Sequence, residues 1–296
     1  MKKIIISYSI TLAFILISVS SCEKYYGYDK KETLNDTTCW HFIKTSDSTW
    51  DSIRVVVLGH QVWTDHDRAD VGGGNAWPKP SIQYSKINDL DSKALYRWLN
   101  KEKDTDTGAY YHYINPTYGS IFNWYFFMNG ENCEKAHGVC PEGFHIPSAS
   151  EWDDLEAYLK IIQPHHAKRD AMLSYIEQSG SIANALATNT DSWRASDILG
   201  TPGYDKTINN STSFNAIPAG TLVVDTSNGR PIMVRTGAGR VGIYATSTES
   251  NAGKDMYCTR IFYYNSPSMG RGALDKSRLA RVRCIKDDNT INKTKE

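Results

Sequence analysis

The sequence predicts a fold of the α+β class, in which a small antiparallel sheet and long loops surround one or two packed helices. Three observations lead to this prediction. A β-branched run and a Gly-His turn predict a hairpin at 53–63. A capping signal predicts a helix that begins near residue 149, and the chain after residue 210 alternates between short strand patterns and loops.

The predicted strands begin with the hairpin, in which 53–58 and 61–63 pair across a tight turn at Gly59 and His60. The later strand patterns lie at 214–218, 220–224, 232–236, 242–246, 257–264 and 279–285. These runs are short and separated by loops, so they predict sheets of modest size rather than one long sheet.

The best-defined helix is predicted to follow Ser148, which stands three residues ahead of Glu151 in an arrangement typical of a capping box. The apolar residues on one face of this helix are Trp152, Leu155, Leu159 and Ile162. Their spacing of three and four residues predicts a stripe that is buried in the core. Two further helices are predicted, one at 92–101 with Asp91 as its cap and one at about 167–178.

The first 22 residues have the pattern of a bacterial lipoprotein signal. Lys2 and Lys3 precede an apolar stretch at 4–19, which is short for a bilayer-spanning helix of about 20 apolar residues. Val-Ser-Ser then precedes Cys22, and this resembles a lipobox, in which the thiol is acylated and cleavage occurs just before it. The alternative interpretation is an ordinary signal peptide, or a membrane anchor, with a chance cysteine.

An acylated Cys22 implies a membrane partner. The expected location is the cell envelope, as an outer-membrane lipoprotein held by several acyl chains such as palmitate. The body of the chain then lies outside the cytoplasm, and the sequence leaves open whether it faces the periplasm or the cell surface.

The composition excludes two classes of protein. Lys and Arg together number 33, and so do Asp and Glu, which argues against a nucleic-acid partner because such proteins need a basic face. The chain also contains 18 Tyr and 8 Trp, which argues against disorder because disordered chains are poor in aromatic residues.

Six cysteines are present, and an oxidising compartment permits disulfides. With Cys22 used by the lipid, the cysteines that remain are Cys39, Cys133, Cys140, Cys258 and Cys284. Five is an odd number, so at least one of them stays free or pairs with another chain. They include no Cys-x-x-Cys pair, and no histidine lies at zinc-finger spacing from them, so no zinc site is expected.

Six short blocks carry a resemblance to a known family. They are GHQVW from Gly59, YGSIFNWY from Tyr118, VCPEGFHIPSASEW from Val139, FNAIPAG from Phe214, ATSTE from Ala245 and ARVRCIKD from Ala280. Any one block is a weak signal, but the ordered set resembles the Fibrobacter succinogenes major paralogous domain. The chain departs from the family pattern at 64–67, where the family has Met-Ala-Glu-Asn, and at Phe144, where it has Trp.

The resemblance implies a C-type-lectin-like fold, similar also to formylglycine-generating enzymes. In such a fold the helix at Glu151 and Trp152 packs on a small twisted antiparallel sheet, and the two ends of the domain meet. The expected organisation is a signal peptide at 1–21, the lipidated cysteine and a tether into the domain at 22–52, the family domain at 53–287 and a polar tail at 288–296.

The resemblance also implies a disulfide between Cys140 and Cys284, which joins the loop before the helix to the last strand. Closing a loop of well over 100 residues restricts the unfolded chain by roughly 4–5 kcal/mol in the chain-entropy model. A second bridge between Cys133 and Cys258 would leave Cys39 as the odd cysteine.

The resemblance places the recognition surface on the loops that lead into the final strands, here 251–271. The candidate ligand-binding residues in this stretch are Tyr257, Arg260, Tyr263, Tyr264, Asn265 and Arg271. Tyr, Asn and Arg are common in adaptable binding surfaces and in interface hot spots. The alternative interpretation is that 257–264 is a plain strand of the scaffold, because its residues partly alternate.

No metal and no other cofactor is expected, with calcium as the alternative. Asp65, Asp67 and Asp70 form one acidic loop, and the Asp-Thr-Asp-Thr-Gly stretch at 104–108 resembles half of a calcium loop. The later ligands of a calcium loop are missing, so these carboxylates are expected to be solvated turn residues.

No catalytic residue is expected either. The catalytic relatives of the fold use two cysteines close together near the C-terminus, whereas Cys258 and Cys284 stand 26 positions apart. His145 lies within a family block, next to Pro147, and is expected to be a packed structural histidine.

We therefore expect a non-enzymatic, lipid-anchored binding or adhesion domain of a bacterial envelope, whose ligand is a glycan or a protein. The alternative is a structural subunit of an envelope or surface assembly without a free ligand site. A divergent enzyme of the formylglycine-generating type is the third hypothesis.

Overall fold

Small, mostly antiparallel sheets occur together with a few helices in the described part of the chain, which confirms the α+β class. The structure is a computed structural model that describes residues 37–44, 50–67, 85–86, 111–115, 119–162, 181–225 and 232–287. The strands are β1 (Thr37–Lys44), β2 (Trp50–Leu58), β3 (Gln61–Thr64), β4 (Ser85–Lys86), β5 (Tyr111–Asn115), β6 (Gly119–Asn123), β7 (Phe144–His145), β8 (Thr221–Asp225), β9 (Ile232–Thr236), β10 (Val241–Glu249), β11 (Met256–Tyr263), β12 (Gly270–Asp275), β13 (Leu279–Ala280) and β14 (Ile285–Lys286). The helices are α1 (Trp124–Met128), α2 (Ala149–Ile162) and α3 (Ile182–Leu186), with a 3₁₀ turn at Lys206–Ile208.

The described strands form four small sheets. The largest has the order β1-β2-β3-β14-β7, and the others have the orders β13-β6-β5-β4, β10-β11-β12 and β8-β9. The paired strands run antiparallel, apart from β4 and β5, which run parallel. Because β3 and β14 are neighbours, the first and last parts of the domain meet in one sheet, as the resemblance implies.

The predicted hairpin is confirmed as β2 and β3, which pair across a turn at Gly59. Gly59 has a φ of 65°, a left-handed conformation that glycine adopts without strain. The ring of Tyr158 from α2 also lies close to this turn, and a Cβ added at Gly59 would approach it to 2.9 Å. Glycine is therefore required here both by the turn and by the helix that packs on it.

Strand β1 lies in the segment that the sequence predicted to be a tether. All eight of its residues pair with β2, from Thr37 opposite Val57 to Lys44 opposite Trp50. The sequence predicted a tether and entry segment at 22–52 and no strand within it, because the run Cys-Trp-His-Phe-Ile does not alternate between apolar and polar residues. Pairing with a neighbouring strand forms β1, and a local pattern does not reveal it.

Helix α2 is the helix that the capping box predicted. The backbone N–H of Ser148 donates to Glu151 Oε2 at 2.8 Å, and the N–H of Glu151 donates to Ser148 Oγ at 3.3 Å. The predicted stripe is buried at Trp152, Leu155 and Leu159, each of which is 0% exposed. The local sequence signal and the packing of the helix therefore agree.

The later strand predictions are confirmed at β8, β9, β10 and β11. Two other predictions are corrected, and one strand was not predicted. The pattern at 214–218 contributes only an isolated bridge between Ala216 and Ala187. The pattern at 279–285 is interrupted, because Leu279–Ala280 pair with β6 whereas Ile285 pairs with β3 and β7. Strand β12 was not predicted, since Gly-Arg-Gly-Ala-Leu-Asp contains no β-branched residue.

The helix predictions at 92–101 and about 167–178 lie outside the described residues. Helices α1 and α3 were not predicted, because five residues are too few to show a helical period. Within the described part of the chain, no helix has both the length and the apolar character that crossing a bilayer requires. The signal segment 1–21, Cys22 and the tail 288–296 also lie outside the described residues.

The core consists of two hydrophobic clusters. The aromatic residues of the first cluster are Phe122, Trp124, Phe126, Phe127, Phe144 and Tyr257, and Cys140 and Cys284 belong to it as well. The large aromatic residues of the second cluster are Trp63, Trp152, Tyr158, Trp193, Phe214, Tyr244 and Phe262. Trp63 of β3 and Trp152 of α2 have ring centroids 4.8 Å apart, so the hairpin and the helix share one aromatic core.

The implied disulfide between Cys140 and Cys284 is confirmed, with Cα atoms 5.9 Å apart and 144 positions between the two residues. The predicted second bridge between Cys133 and Cys258 is wrong, because both residues are free thiols. Cys133 is exposed on the loop after α1, and Cys258 faces the backbone carbonyl of Glu249 at 3.7 Å. One covalent link therefore joins the segment before α2 to the last strands.

Candidate functional site

The acidic loop after β3 turns inward. Asp65 and Asp67 are 4% and 6% exposed, so their interpretation as solvated turn residues was wrong. Asp65 pairs with Arg54 at 3.2 Å and with His66 at 2.5 Å. Asp70 and the stretch at 104–108, the other candidate calcium positions, lie outside the described residues.

Asp67 is the centre of a buried ion cluster. Its Oδ1 accepts from Arg283 Nε at 2.7 Å, and its Oδ2 accepts from Arg281 Nε and from the Tyr244 hydroxyl, the latter at 3.2 Å. Burial acts to raise the pKa of Asp67, but the two guanidinium groups outweigh burial and hold that pKa below its usual range. The ionised carboxylate of Asp67 is therefore fully engaged by Arg281, Arg283 and Tyr244. Among the described residues, no group of three or more metal-ligating side chains occurs.

Two of the predicted ligand-binding residues are buried, which corrects the prediction. Tyr257 is 0% exposed, its ring lies 5.3 Å from that of Trp124, and its hydroxyl donates to the carbonyl of Arg278. Arg260 is 2% exposed, and its Nη2 donates to the carbonyl of Ala149 at 2.6 Å. Both side chains hold the scaffold together and are unavailable to a ligand.

Arg271 is exposed, but its guanidinium is engaged. Its Nη2 lies 2.8 Å from Asp153 and 2.6 Å from Glu156, both on α2. Arg260 reaches the same Asp153 carboxylate at 2.6 Å. Together the two arginines tie the sheet β10-β11-β12 to one side of α2, so Arg271 is also a scaffold residue.

The other three predicted residues lie at the surface, with Tyr263 as the last residue of β11 and Tyr264 and Asn265 directly after it. Tyr263 is 43% exposed, Asn265 is exposed and Tyr264 is half-buried. The guanidinium of Arg194 lies 5.6 Å from the centre of the Tyr264 ring, within the range of a cation–π contact. This contact brings in a second loop that the sequence did not indicate.

The second loop is fastened to the first at Gly203. The N–H of Gly203 donates to the carbonyl of Tyr264 at 2.8 Å. A Cβ added at Gly203 would lie 2.2 Å from the carbonyl oxygen of Arg194, so no side chain fits between the two loops. We call the residues 194–208 and 263–266 together the two-loop surface.

The two-loop surface carries most of the exposed large apolar side chains of the described structure. They are Ile198 (45% exposed), Leu199 (37%), Tyr204 (47%), Ile208 (53%) and Tyr263 (43%). The sixth such side chain is Ile161 (68%), near the end of α2. Single exposed apolar residues are ordinary, but five gathered on two joined loops are typical of an interaction site.

Internal hydrogen bonds hold the longer loop in shape. Ser196 donates its N–H to the carbonyl of Gly203 at 2.9 Å, and Thr201 Oγ1 donates to the carbonyl of Ile198 at 2.8 Å. Asn209 Nδ2 donates to the carbonyls of Thr188 and Pro202 at 3.1 and 3.0 Å. The exposed side chains are therefore presented by ordered backbone, which limits the entropy lost on binding.

Sequence patterns missed the longer loop for a physical reason. Ile198 and Leu199 have no helical or strand period, and an exposed aliphatic residue looks the same in sequence as a buried one. The available signal was their position as an isolated apolar pair ahead of Gly200 and Pro202, in a stretch that forms neither helix nor strand.

Two other predicted features concern catalysis. Cys284 is bonded to Cys140, so it does not form a thiol pair with Cys258. His145 is 5% exposed and lies in strand β7, in agreement with a structural histidine. Its ring contacts two carboxylates, those of Asp287 and Glu151.

The fold and the site define a class of protein: an α+β domain closed by one disulfide, on which two joined loops present apolar side chains. The family model of the Fibrobacter succinogenes major domain matches residues 56–286, and the chain belongs to this family. No curated protein and no solved structure matches the chain.

Proposed function

We propose that this protein is a non-enzymatic binding or adhesion domain of a bacterial envelope, anchored by lipid on Cys22, and that it binds through the two-loop surface. The observation that carries the proposal is the gathering of five exposed large apolar side chains on two ordered, joined loops. The C-type-lectin-like fold that the family resemblance implies is part of the proposal, since its recognition surface lies on the loops around the final strands.

The chemistry of the surface favours a protein ligand over a glycan. Tyr204 and Tyr263 suit either, because aromatic rings stack on sugars and also act as anchors in protein interfaces. The branched side chains of Ile198, Leu199 and Ile208 gain stability only when they are covered by apolar surface. A glycan ligand is the other outcome that the binding test distinguishes.

Alanine at Tyr204 or Tyr263 is expected to weaken ligand binding about 10-fold or more, because truncating an aromatic anchor typically costs 1–2 kcal/mol or more. The measurement uses the chain from residue 23 onward, which contains every described residue, on arrays of immobilised proteins and glycans. Affinities for any retained ligand are then compared among the variants.

The matched control is Ile161→Ala, which removes an exposed apolar side chain that lies outside the two-loop surface. It should leave affinity unchanged. Equal affinity of the wild type and both tyrosine variants would contradict the proposed surface. A wild-type domain that retains nothing on the arrays, while the full protein co-purifies with envelope components, would favour the structural-subunit alternative.

The lipid anchor is proposed from the basic start, the short apolar stretch and the lipobox at Cys22. Cys22→Ser is expected to abolish incorporation of labelled palmitate and to release the protein from the membrane fraction. Cys133→Ser, which removes an exposed free thiol, serves as the control and should change neither result. Labelled palmitate on the Cys22→Ser protein would contradict the anchor, and protease treatment of intact cells would report which side of the membrane the domain faces.

Several reactive side chains make structural contacts, which supports a non-enzymatic role. Cys284 is used in a disulfide, and the carboxylates of Asp65 and Asp67 pair with arginines. The proposal therefore assigns no step to a metal, a cofactor or a nucleophile. Oxidation of a cysteine-containing peptide by the purified protein, followed by mass spectrometry, would instead favour the formylglycine-generating alternative.

A further inference from the structure

His145 connects the start of α2 to the C-terminal end of the domain. It is the last residue of β7, and it is paired in the sheet with Ile285 of β14. Its Nδ1 lies 2.6 Å from Asp287 Oδ1, and its Nε2 lies 3.0 Å from Glu151 Oε1. One imidazole ring thus contacts a carboxylate in the first turn of α2 and a carboxylate at the end of the described chain.

These two contacts require a charged ring. An ionised carboxylate only accepts hydrogen bonds, and a neutral imidazole carries a single N–H, so both contacts form together only in the imidazolium. Burial acts to lower the pKa of His145, but Glu151 and Asp287 outweigh burial and raise that pKa above its ordinary value of 6.5.

The two carboxylates differ in how firmly they are held. Glu151 is buried, and its Oε1 also meets Lys135 Nζ at 2.9 Å, while its Oε2 accepts from the N–H and the hydroxyl of Ser148. Burial acts to raise the pKa of Glu151, but these partners and His145 lower it to about 2. Asp287 has a side chain that is 52% exposed, and its backbone N–H donates to the carbonyl of Gly143.

We propose that His145 is a pH-dependent latch for the end of strand β14, which holds Asp287 when the ring is charged and releases it when the ring is neutral. A neutral ring keeps its one N–H on Nε2, because Glu151 is buried and has no solvent to turn toward. The lone pair on Nδ1 then faces the Asp287 carboxylate, which turns into water. Asp287 then loses this side-chain tie to the domain.

The other charged groups near the ring are consistent with this direction of release. Lys135 contacts Glu151 whether the ring is charged or neutral, so the negative charge of Glu151 stays paired. His137 Nδ1 donates to the carbonyl of Phe144, one residue before His145, and Lys286 precedes Asp287. Because the folded pKa of His145 is raised, the latch is closed below about pH 6.5 and opens as the pH rises through that folded value.

The test is a pH titration of the full chain by NMR of the histidine ring nitrogens, together with amide hydrogen exchange of Lys286 and Asp287 at the C-terminal end of the described residues. His145 is expected to titrate above 6.5 in the wild type, and C-terminal amide protection is expected to fall across the same midpoint after correction for intrinsic exchange. Asp287→Asn should lower the His145 midpoint toward 6.5 and remove the pH dependence of C-terminal protection. His60→Gln, an exposed histidine in the hairpin turn, is the control and should change neither quantity.

The proposal is overturned by either of two results. One is a His145 midpoint at or below 6.5 in the wild type, and the other is C-terminal protection that stays constant across the titration. The wild-type titration decides both points, so the test does not depend on the folding of a variant. It is also independent of the two-loop surface, whose ligand plays no part in it.

Discussion

Replacing Asp67 by asparagine is expected to lower the free energy of unfolding by about 3–5 kcal/mol, because it leaves buried charges without a partner. Arg281 is 3% exposed and Arg283 is 0% exposed, and Asp67 is the carboxylate that both contact. An asparagine keeps the shape of the side chain but cannot neutralise two guanidinium groups. Urea unfolding followed by circular dichroism measures the change.

The same substitution at an exposed pair provides the control. Asp191 has a fully exposed side chain and lies 3.4 Å from Lys206, so Asp191→Asn should leave the free energy of unfolding nearly unchanged. A loss of less than 1 kcal/mol for Asp67→Asn would contradict the buried cluster. A double variant of Asp67→Asn with Arg283→Met should lose less than the sum of the single losses, because the two residues share one interaction.

The effect is large because this cluster lies where several segments meet. Arg283 Nη1 donates to the carbonyl of Thr64 at 2.8 Å and to the carbonyl of Phe214, and its guanidinium lies 4.1 Å from the centre of the Phe214 ring. The hydroxyl of Tyr244 bonds to Asp67 and accepts from the N–H of Ile217 at 2.9 Å. Loss of Asp67 is therefore expected to loosen β3, β10 and the stretch around residue 214 together.

Replacing both Cys140 and Cys284 by serine is expected to lower the free energy of unfolding by about 3–5 kcal/mol. The physical reason is that the disulfide closes a loop across 144 positions, which removes a large amount of chain entropy from the unfolded state. Denaturant unfolding of the oxidised wild type, the reduced wild type and the double variant measures the effect.

The two thiols described as free make a matched control for the disulfide. Cys133→Ser and Cys258→Ser break no covalent link, so each is expected to change stability by much less than the double variant. Mass spectrometry without reduction should recover the peptides of Cys140 and Cys284 as one linked species. A free thiol at either position, or equal stability of the double variant and the wild type, would contradict the prediction.

Both large effects act on the same short stretch of chain. Between Arg281 and Asp287 the backbone leaves the sheet of β13 and joins the sheet of β14, with few ladder hydrogen bonds of its own. Ion pairs, a disulfide and the His145 contact hold this stretch in place of a continuous strand. These contacts explain why Arg281 and Arg283 are buried in the stretch 279–285, which the sequence predicted to be one unbroken strand.

Features that depend on a few neighbouring residues were predictable. The capping box at Ser148 and Glu151, the hairpin turn at Gly59 and the buried stripe of α2 are local, because each follows from hydrogen bonds or periodicity within one element. The pairing of Cys140 with Cys284 came from the family resemblance, since spacing alone cannot select one pairing among several.

The local sequence could not predict which of the candidate ligand residues are buried. Tyr257, Arg260 and Tyr263 belong to one strand pattern, and residue type gave no way to choose which of them faces the core. The packing of α2 and of Trp124 against β11 decides this, and it buries the first two. Tyr263 and Asn265 stay at the surface because they lie where the strand ends.

By itself the sequence determined the family, the α+β class, the hairpin and α2, because these follow from ordered motifs and short-range periodicity. Only the tertiary structure decided that Asp67 turns inward and that β1 adds to the sheet. It also decided that the loops at Gly203 and Tyr264 join into one surface. Each of these depends on residues far apart in the chain, and burial and pairing between such residues leave no local pattern in the sequence.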